Sequence, residues 1–117
     1  MAIPTREEWA ALLASGFRSN GATGVPDTIW GLKIANGDDR YPPLPADRHD
    51  AAYFTGGDEL DRLAADLEFR DGMLELVARG SWWLRVLRRK RAEAYYLGVR
   101  MMGMSHFERA WTMRGDP

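Results

Sequence analysis

The residues best suited to acid–base chemistry are His49 and Asp50, which stand side by side within residues 47–53. The chain has two histidines, so half of the side chains that exchange protons near neutral pH are here. Adjacent residues on a helix point about 100° apart, and one partner can therefore contact the imidazole while another contacts the carboxylate. This geometry suits a general base beside a metal ligand, although a solvated helix face produces the same pair without any function.

Asp66 is the predicted partner of the imidazole. His49 and Asp66 lie at similar distances before and after the glycine-containing turn at residues 55–57, so an antiparallel helical hairpin places them at similar heights. Tyr53 follows His49 by four residues, shares its face and is placed to bond Asp66 as well. A carboxylate that fixes the tautomer of an imidazole leaves the other ring nitrogen free to take a proton from water.

A calcium site is the electrophile that the surrounding residues suggest. Ca²⁺ takes roughly six to eight oxygen ligands, and backbone carbonyls beside one carboxylate can supply them. Asp50 offers the carboxylate, and the glycine-containing segment at residues 20–24 is of the kind that turns its carbonyls inward. The sequence therefore favours a proton acceptor and a cation ligand on neighbouring positions of one helix.

Signals for helix ends divide the chain into four main helices. Thr5 with Glu8 forms a capping box that begins the first helix, and Gly16 ends it. The second helix is predicted over residues 46–54, before the turn at residues 55–57. The third and fourth are predicted to begin after Asp58 and Ser81 and to end at Gly80 and Gly103, and Ser105 with Glu108 marks a short final helix.

Hydrophobic spacing predicts the buried faces of these helices. The first is expected to bury Trp9, Leu12 and Leu13, and the third Leu60, Leu63, Leu67 and Leu74. The inner face of the fourth is expected to consist of Leu84, Leu87, Ala94, Tyr95, Gly98, Val99 and Met102.

The segment at residues 17–45 is rich in glycine and proline and predicts a long ordered loop, anchored in the core by the apolar cluster at residues 29–32. No segment predicts a strand convincingly. The predicted fold class is all-α: a small helical domain with a central antiparallel helix pair and a long Gly/Pro-rich N-terminal loop.

Composition predicts a single domain over residues 1–117, because 45% of residues are hydrophobic and 28% are charged, as in folded globular proteins. The formal net charge of −1 gives no overall field that attracts nucleic acid or membrane. The absence of cysteine excludes disulfides, thiolate metal sites and thiol nucleophiles. The first residues lack the apolar stretch of a secretory signal, so we expect synthesis in the cytoplasm, with association with a virus particle or export by a non-classical route left open.

Four motifs together resemble the phospholipase A2 superfamily, especially its small bacterial and fungal branch. They are His49-Asp50-Xaa-Xaa-Tyr53, Asp66-Xaa-Xaa-Phe69 followed by Met73, Tyr95-Tyr96-Xaa-Xaa-Val99 followed by Gly103, and Pro26-Asp27-Xaa-Xaa-Trp30-Gly31. The likeness spans residues 19–103 and preserves the order of the motifs, which is more specific than any one of them.

The resemblance implies a calcium-dependent hydrolase of a glycerophospholipid ester, acting in lipid degradation at a phospholipid membrane surface. It implies that His49 is the general base, that Asp66 orients it and that Tyr53 supports Asp66. It also implies that Asp50, the side chain of Asn20 and the carbonyl of Gly21 are ligands to Ca²⁺. The chain departs from the family at Asn20, where an aspartate is usual, and lacks the family's disulfide, with Ala22 and Ala46 near those places.

Two other functions stay open at this stage. The first is a catalytically silent version of the same fold, acting as a structural or interaction module of a phage particle or secretion assembly. The second is a nucleic-acid-binding helical protein that uses the basic residues of the segment 85–91 beside Trp82 and Trp83, a combination that would also suit a lipid interface. The purely structural alternative is that these arginines form ion pairs with the acidic third helix while the tryptophans pack within the fold.

With one certain carboxylate ligand, calcium binding is expected to be weak, on the order of 10⁻⁴–10⁻³ M. Hydrolysis should therefore rise with free calcium through this range and be negligible at submicromolar calcium. A titration of fatty-acid release against buffered free calcium measures this, and full activity at submicromolar calcium would contradict it.

Overall fold

The computed structural model describes residues 3–19, 26–37 and 40–102, and within them the protein is mostly helical. The helices are α1 (Arg6–Ala14), α2 (Pro45–Thr55), α3 (Glu59–Val77) and α4 (Trp82–Met102), and the strands are β1 (Thr28–Ile29) and β2 (Leu32–Lys33). The four main helices thus lie where the sequence predicts them. The predicted end at Gly103 and the short final helix from Ser105 lie outside the described residues. No helix in the described ranges combines the length and the apolar character that crossing a membrane requires.

Two helices begin at the capping boxes that the sequence contains. At α1, Thr5 Oγ1 accepts from the amide of Glu8 at 3.1 Å, and the Glu8 carboxylate accepts from the amide of Thr5 at 2.8 Å. At α3, Asp58 and Asp61 exchange the same two bonds, both at 2.9 Å. These caps satisfy amides that have no partner inside the helix, and the local sequence therefore fixes where each helix starts.

The expectation of no strand was wrong, because residues 28–33 form a small antiparallel hairpin with Ile29 opposite Leu32. Trp30 and Gly31 make its turn with φ of 47° and 83°. The expected anchoring of this segment in the core is confirmed for Ile29, which is fully buried, whereas Trp30 is exposed. The difference follows from the turn, which directs Trp30 away from the side that Ile29 occupies.

The three longest helices pack as two antiparallel pairs, α2 with α3 and α3 with α4. Along α2 and α3, Arg48 bonds Glu68 while His49, one residue later, bonds Asp66, so the two helices run in opposite directions. Contacts between α3 and α4 run in reverse order in the same way, from Arg62 with the carbonyl of Arg100 to Arg70 over the ring of Tyr96. The apolar core between them is formed by Ile29, Ile34, Ala35, Ala46, Phe69, Met73, Val77, Ala92 and Val99.

The predicted buried stripe of α3 was wrong in its register. Leu60 is 72% exposed, and Leu63, Leu67 and Leu74 are half-buried. The fully buried positions are instead Phe69, Met73 and Val77 together with the polar Arg62 and Asp66. The helix is enclosed by α2 on one side and α4 on the other, and its polar network occupies the positions between them, so the leucines flank the contacts.

The predicted inner face of α4 was also partly wrong. Val99 is buried as expected, but Ala92, which was not predicted, is buried as well, while Leu87 and Ala94 are exposed. The helix therefore carries apolar residues on the side away from α3 as well as on the side toward it.

Asp47 joins the loop segments to the start of α2. Its buried carboxylate accepts hydrogen bonds from the hydroxyl of Ser19 at 2.7 Å and from the amides of Asn36 at 2.7 Å, Gly37 at 3.0 Å and Leu44 at 3.0 Å. A carboxylate at a helix start is further stabilised by the unpaired amides there. This one side chain thus fixes three separate segments next to the turn of helix that carries His49.

Replacing Asp47 with alanine should lower the free energy of unfolding by about 2–4 kcal/mol, because it leaves buried amides without an acceptor. Urea denaturation followed by circular dichroism measures the loss. Asp71→Ala is the matched control, since Asp71 is exposed and, among the described residues, pairs with the adjacent Arg70; it should change stability by less than about 0.5 kcal/mol. Equal effects of the two substitutions would contradict the role given to Asp47.

Candidate active site

His49 and Asp66 meet across the α2–α3 contact. The distance from His49 Nε2 to Asp66 Oδ1 is 2.7 Å, with His49 only 2% exposed and Asp66 fully buried. The hydroxyl of Tyr53 donates to the same Oδ1, also at 2.7 Å. Both contacts were predicted from the sequence, and both are confirmed as geometry.

The packing around His49 holds the imidazole in one orientation. Its ring centroid lies 4.3 Å from that of Tyr53 and 4.8 Å from that of Phe69. Because an ionised Asp66 is an acceptor, Nε2 carries a hydrogen and Nδ1 of the neutral ring is left as the proton acceptor. None of the hydrogen bonds among the described residues involves Nδ1. The arrangement is therefore that of an oriented imidazole whose second nitrogen can serve as a base.

Two arginines bind the other oxygen of Asp66, and neither was predicted from the sequence. Arg100 Nη1 on α4 donates to Oδ2 at 2.9 Å, and Arg62 Nη1 on α3 lies 3.4 Å from the same atom. Arg62 could have been found, because it precedes Asp66 by four residues on the same helix and so shares its face. Arg100 is 34 residues away in the chain, and no local spacing points to it.

Glu59 completes this cluster at the surface. Its carboxylate accepts from Arg62 Nε at 3.0 Å and from Arg100 Nη2 at 2.8 Å. The hydrogen bond from Arg62, and then that from Arg100, hold the pKa of Glu59 below its ordinary value. Arg62 also donates to the backbone carbonyls of Val99 at 3.3 Å and Arg100 at 3.2 Å, and thereby ties α3 to α4.

The charge of Asp66 is maintained by its partners. Burial raises the pKa of this carboxyl. The hydrogen bonds from His49 and Tyr53, together with the bond from Arg100, lower the pKa by more than burial raises it, so the net pKa lies below its ordinary value. Burial of the Tyr53 hydroxyl, followed by its bond to Asp66, raises the pKa of Tyr53 well above its ordinary value. Asp66 therefore remains an acceptor and Tyr53 a donor over the whole physiological pH range.

Of the predicted calcium ligands, Asp50 alone lies within the described residues; Asn20 and Gly21 lie outside them. Asp50 is half-buried on α2, directly after His49. Within the described ranges, no three histidine or acidic side chains are grouped closely enough to hold a metal ion. A single half-buried carboxylate fits one ligand of an oxygen-coordinated ion, and such an ion also needs several further oxygens.

A buried ion pair that the sequence analysis did not identify fixes the height of α2 against α3. Arg48 Nε donates to Glu68 Oε1 at 2.9 Å, and Arg48 Nη1 donates to the carbonyl of Pro43 at 2.9 Å. Gly72 lies beneath this contact, where a Cβ would come within 2.8 Å of Arg48 Nη2 and 3.0 Å of Pro45 Cγ. The close approach that glycine permits here sets the spacing of the two helices nearly two turns away from Asp66.

The basic residues of segment 85–91 form no ion pair with the acidic residues of α3, so the alternative that these two groups pair was wrong. The acids form ion pairs elsewhere: Glu59 with Arg62 and Arg100, Glu68 with Arg48, Asp71 with Arg70, and Glu75 with Arg79. Arg88 instead donates to the carbonyl of Trp30 at 2.9 Å, and Arg91 lies 5.6 Å from the centroid of the Trp30 ring. Trp82 and Trp83 are exposed.

Comparison of the chain with protein-family models, with curated proteins and with solved structures found no match.

The depressed pKa of Asp66 predicts an acid-sensitive contribution to stability. A group whose pKa is lower in the folded than in the unfolded chain stabilises the fold above its unfolded pKa, about 3.9 for aspartate, and this contribution is lost as pH falls through the folded value. Asp66→Asn should be less stable than wild type at pH 7, and its unfolding free energy should decline less below about pH 4.

Urea denaturation between neutral and acid pH measures both differences. The control is Asp71→Asn, because Asp71 is exposed on the same helix and should follow the wild-type decline. An acid decline in Asp66→Asn as steep as that of wild type would show that Asp66 is not the group responsible.

Proposed function

We propose that the protein hydrolyses a glycerophospholipid ester with a water molecule activated by His49, as a phospholipase A2-like enzyme. The observation that carries the proposal is the 2.7 Å contact of His49 Nε2 with Asp66 Oδ1, reinforced by Tyr53 on the same oxygen. The contact leaves Nδ1 as the basic nitrogen of an imidazole whose orientation is fixed by packing.

The proposed reaction begins when Nδ1 of His49 takes a proton from water as the water oxygen attacks the ester carbonyl carbon. The tetrahedral intermediate then loses the glycerol oxygen, which receives the proton from the imidazolium. The products are a fatty acid and a lysophospholipid, and no covalent acyl-enzyme forms. General base catalysis of this kind contributes about 10²–10⁴-fold to the rate, so stabilisation of the oxyanion is also required.

Calcium is the proposed source of that stabilisation. Asp50 would hold it together with the side chain of Asn20 and the carbonyl of Gly21, both outside the described residues. Bound calcium would polarise the ester carbonyl and stabilise the negative charge that develops on its oxygen.

The two arginines of the site limit the electrostatic contribution of Asp66 to catalysis. Part of the negative charge of Asp66 is already balanced by Arg100 at 2.9 Å and Arg62 at 3.4 Å. Asp66 therefore acts mainly by orienting the ring and selecting its tautomer, and less by stabilising the imidazolium electrostatically. We expect the amide of an asparagine at this position, which can present its oxygen or its NH₂ to the ring, to select the tautomer poorly.

A catalytically silent structural module is the second candidate, and a specific observation favours it. The polar cluster joins three helices: His49 and Tyr53 come from α2, Arg62 and Asp66 from α3, and Arg100 from α4. Such a cluster stabilises the arrangement of the helices whether or not turnover occurs. In this role the chain would serve a particle or a secretion assembly as a rigid interaction domain.

Substitution His49→Asn should lower fatty-acid release at least about 100-fold, because asparagine cannot accept the proton from water. The measurement is release of fatty acid and lysophospholipid from mixed phospholipid vesicles, first with calcium and then with a chelator. His106→Asn is the control, since it removes the only other histidine of the chain and the proposal gives it no role.

Circular dichroism and urea denaturation establish that each variant is folded. Turnover by His49→Asn equal to that of wild type would exclude His49 as the base. Absence of calcium-dependent release from the wild-type protein would instead leave the silent module as the function.

A further inference from the structure

The side of α4 that faces away from α3 carries a regular line of exposed residues. It consists of Trp83, Leu87, Lys90, Ala94, Leu97 and Met101, and we call it the outer seam. Their spacing alternates between four and three residues, which is the heptad pattern of a helix that packs against another helix. The seam extends over about 27 Å, from one end of α4 nearly to the other.

Apart from Lys90, the residues of the outer seam are apolar, as in the core of a helix pair. Trp83, Leu97 and Met101 are 55%, 57% and 82% exposed, and Leu87 is 38% exposed. Ala92 and Val99, which are buried, lie on the other side of α4. One face of the helix thus packs in the core of the single chain. A second, equally regular face has no partner among the described residues.

We propose that the outer seam binds the same seam of a second copy of this chain, with the two α4 helices antiparallel around a twofold axis. In an antiparallel pair that is centred between Lys90 and Ala94, Trp83 faces Met101 and Leu87 faces Leu97 of the other copy. Lys90 then faces Ala94, so the long side chain meets the small one. Every contact occurs twice, as the symmetry of a twofold dimer requires.

The two charges in the middle of this face favour a second copy over other partners. Lys90 and Glu93 are exposed, three residues apart, and neither takes part in an ion pair among the described residues. Antiparallel pairing brings Lys90 of each copy next to Glu93 of the other. Both charges are thereby neutralised, at the centre of the contact and twice over.

A lipid surface fits the same residues less well. A helix that lies on a membrane buries the middle of its apolar face at the acyl boundary. Here that middle would carry Lys90 and Glu93 into the apolar layer. Arg85 and Arg89, which are exposed on the same helix outside the seam, would favour an anionic surface, and they provide a substitution that separates the two partners.

The test is sedimentation equilibrium of the full chain over a concentration series reaching about 0.1 mM. Wild type is expected to approach twice the mass of one chain. Leu97→Glu is expected to raise the dissociation constant about 30-fold or more, whereas Leu60→Glu, on a still more exposed leucine of α3 away from the seam, should leave it unchanged. Circular dichroism of the two variants should match that of wild type.

A charge exchange makes the test specific for the proposed partner. Lys90→Glu and Glu93→Lys should each weaken the dimer, and the double variant should restore it, because the opposite charges then face each other again. Arg89→Glu should leave the mass unchanged. Wild type with the mass of one chain throughout the series would overturn the proposal, and so would a double variant no better than the single ones.

Two further results would also overturn it, by assigning the seam to another partner. One is binding of monomeric wild type to anionic vesicles that is lost in Arg89→Glu. The other is steeply salt-sensitive binding of the monomer to nucleic acid that is lost in the same variant. The dimer does not depend on the proposed hydrolase activity, since neither Leu97 nor Lys90 belongs to the candidate active site.

Discussion

The buried carboxylate of Asp66 is the group on which the arrangement of this protein depends. Removing an ionised carboxylate from water costs several kcal/mol unless it is paired and hydrogen-bonded. Asp66 is fully buried, and its two oxygens bind His49 and Tyr53 on one side and Arg62 and Arg100 on the other. Because these partners come from three helices, burial of one charge requires the three helices to meet in a single register.

The same requirement connects stability with chemistry. The bonds that keep Asp66 ionised also hold the His49 ring with Nε2 toward the carboxylate and Nδ1 away from it. A second buried carboxylate, Asp47, holds the loop segments at the start of α2, and the ion pair of Arg48 with Glu68 fixes the spacing of α2 and α3. The helix that carries the proposed base is thus constrained from both sides by charged groups.

Different parts of this arrangement could be predicted to different degrees. The starts of α1 and α3 were predicted because Thr5 and Asp58 bond amides three residues away. The meeting of His49, Tyr53 and Asp66 was also predicted, because a hairpin with a short turn relates sequence distance to height. The buried stripe of α3 was not predicted, because the interior positions are taken by Arg62 and Asp66. Leaving these charged groups buried without partners would cost more free energy than exposing the leucines. Arg100 was missed because its approach to Asp66 depends on how α4 packs.

The sequence by itself determined where the four main helices lie, the starts of α1 and α3 and the pairing of His49 with Asp66, since each of these depends on residues close together in the chain or across one short turn. Only the tertiary structure decided that Arg100 shares Asp66, that Arg48 is buried against Glu68, and that α4 keeps a second apolar face exposed. These features depend on the rotation of each helix about its axis. That rotation is set by the combined burial of apolar surface and of charge, and no local spacing encodes such a sum.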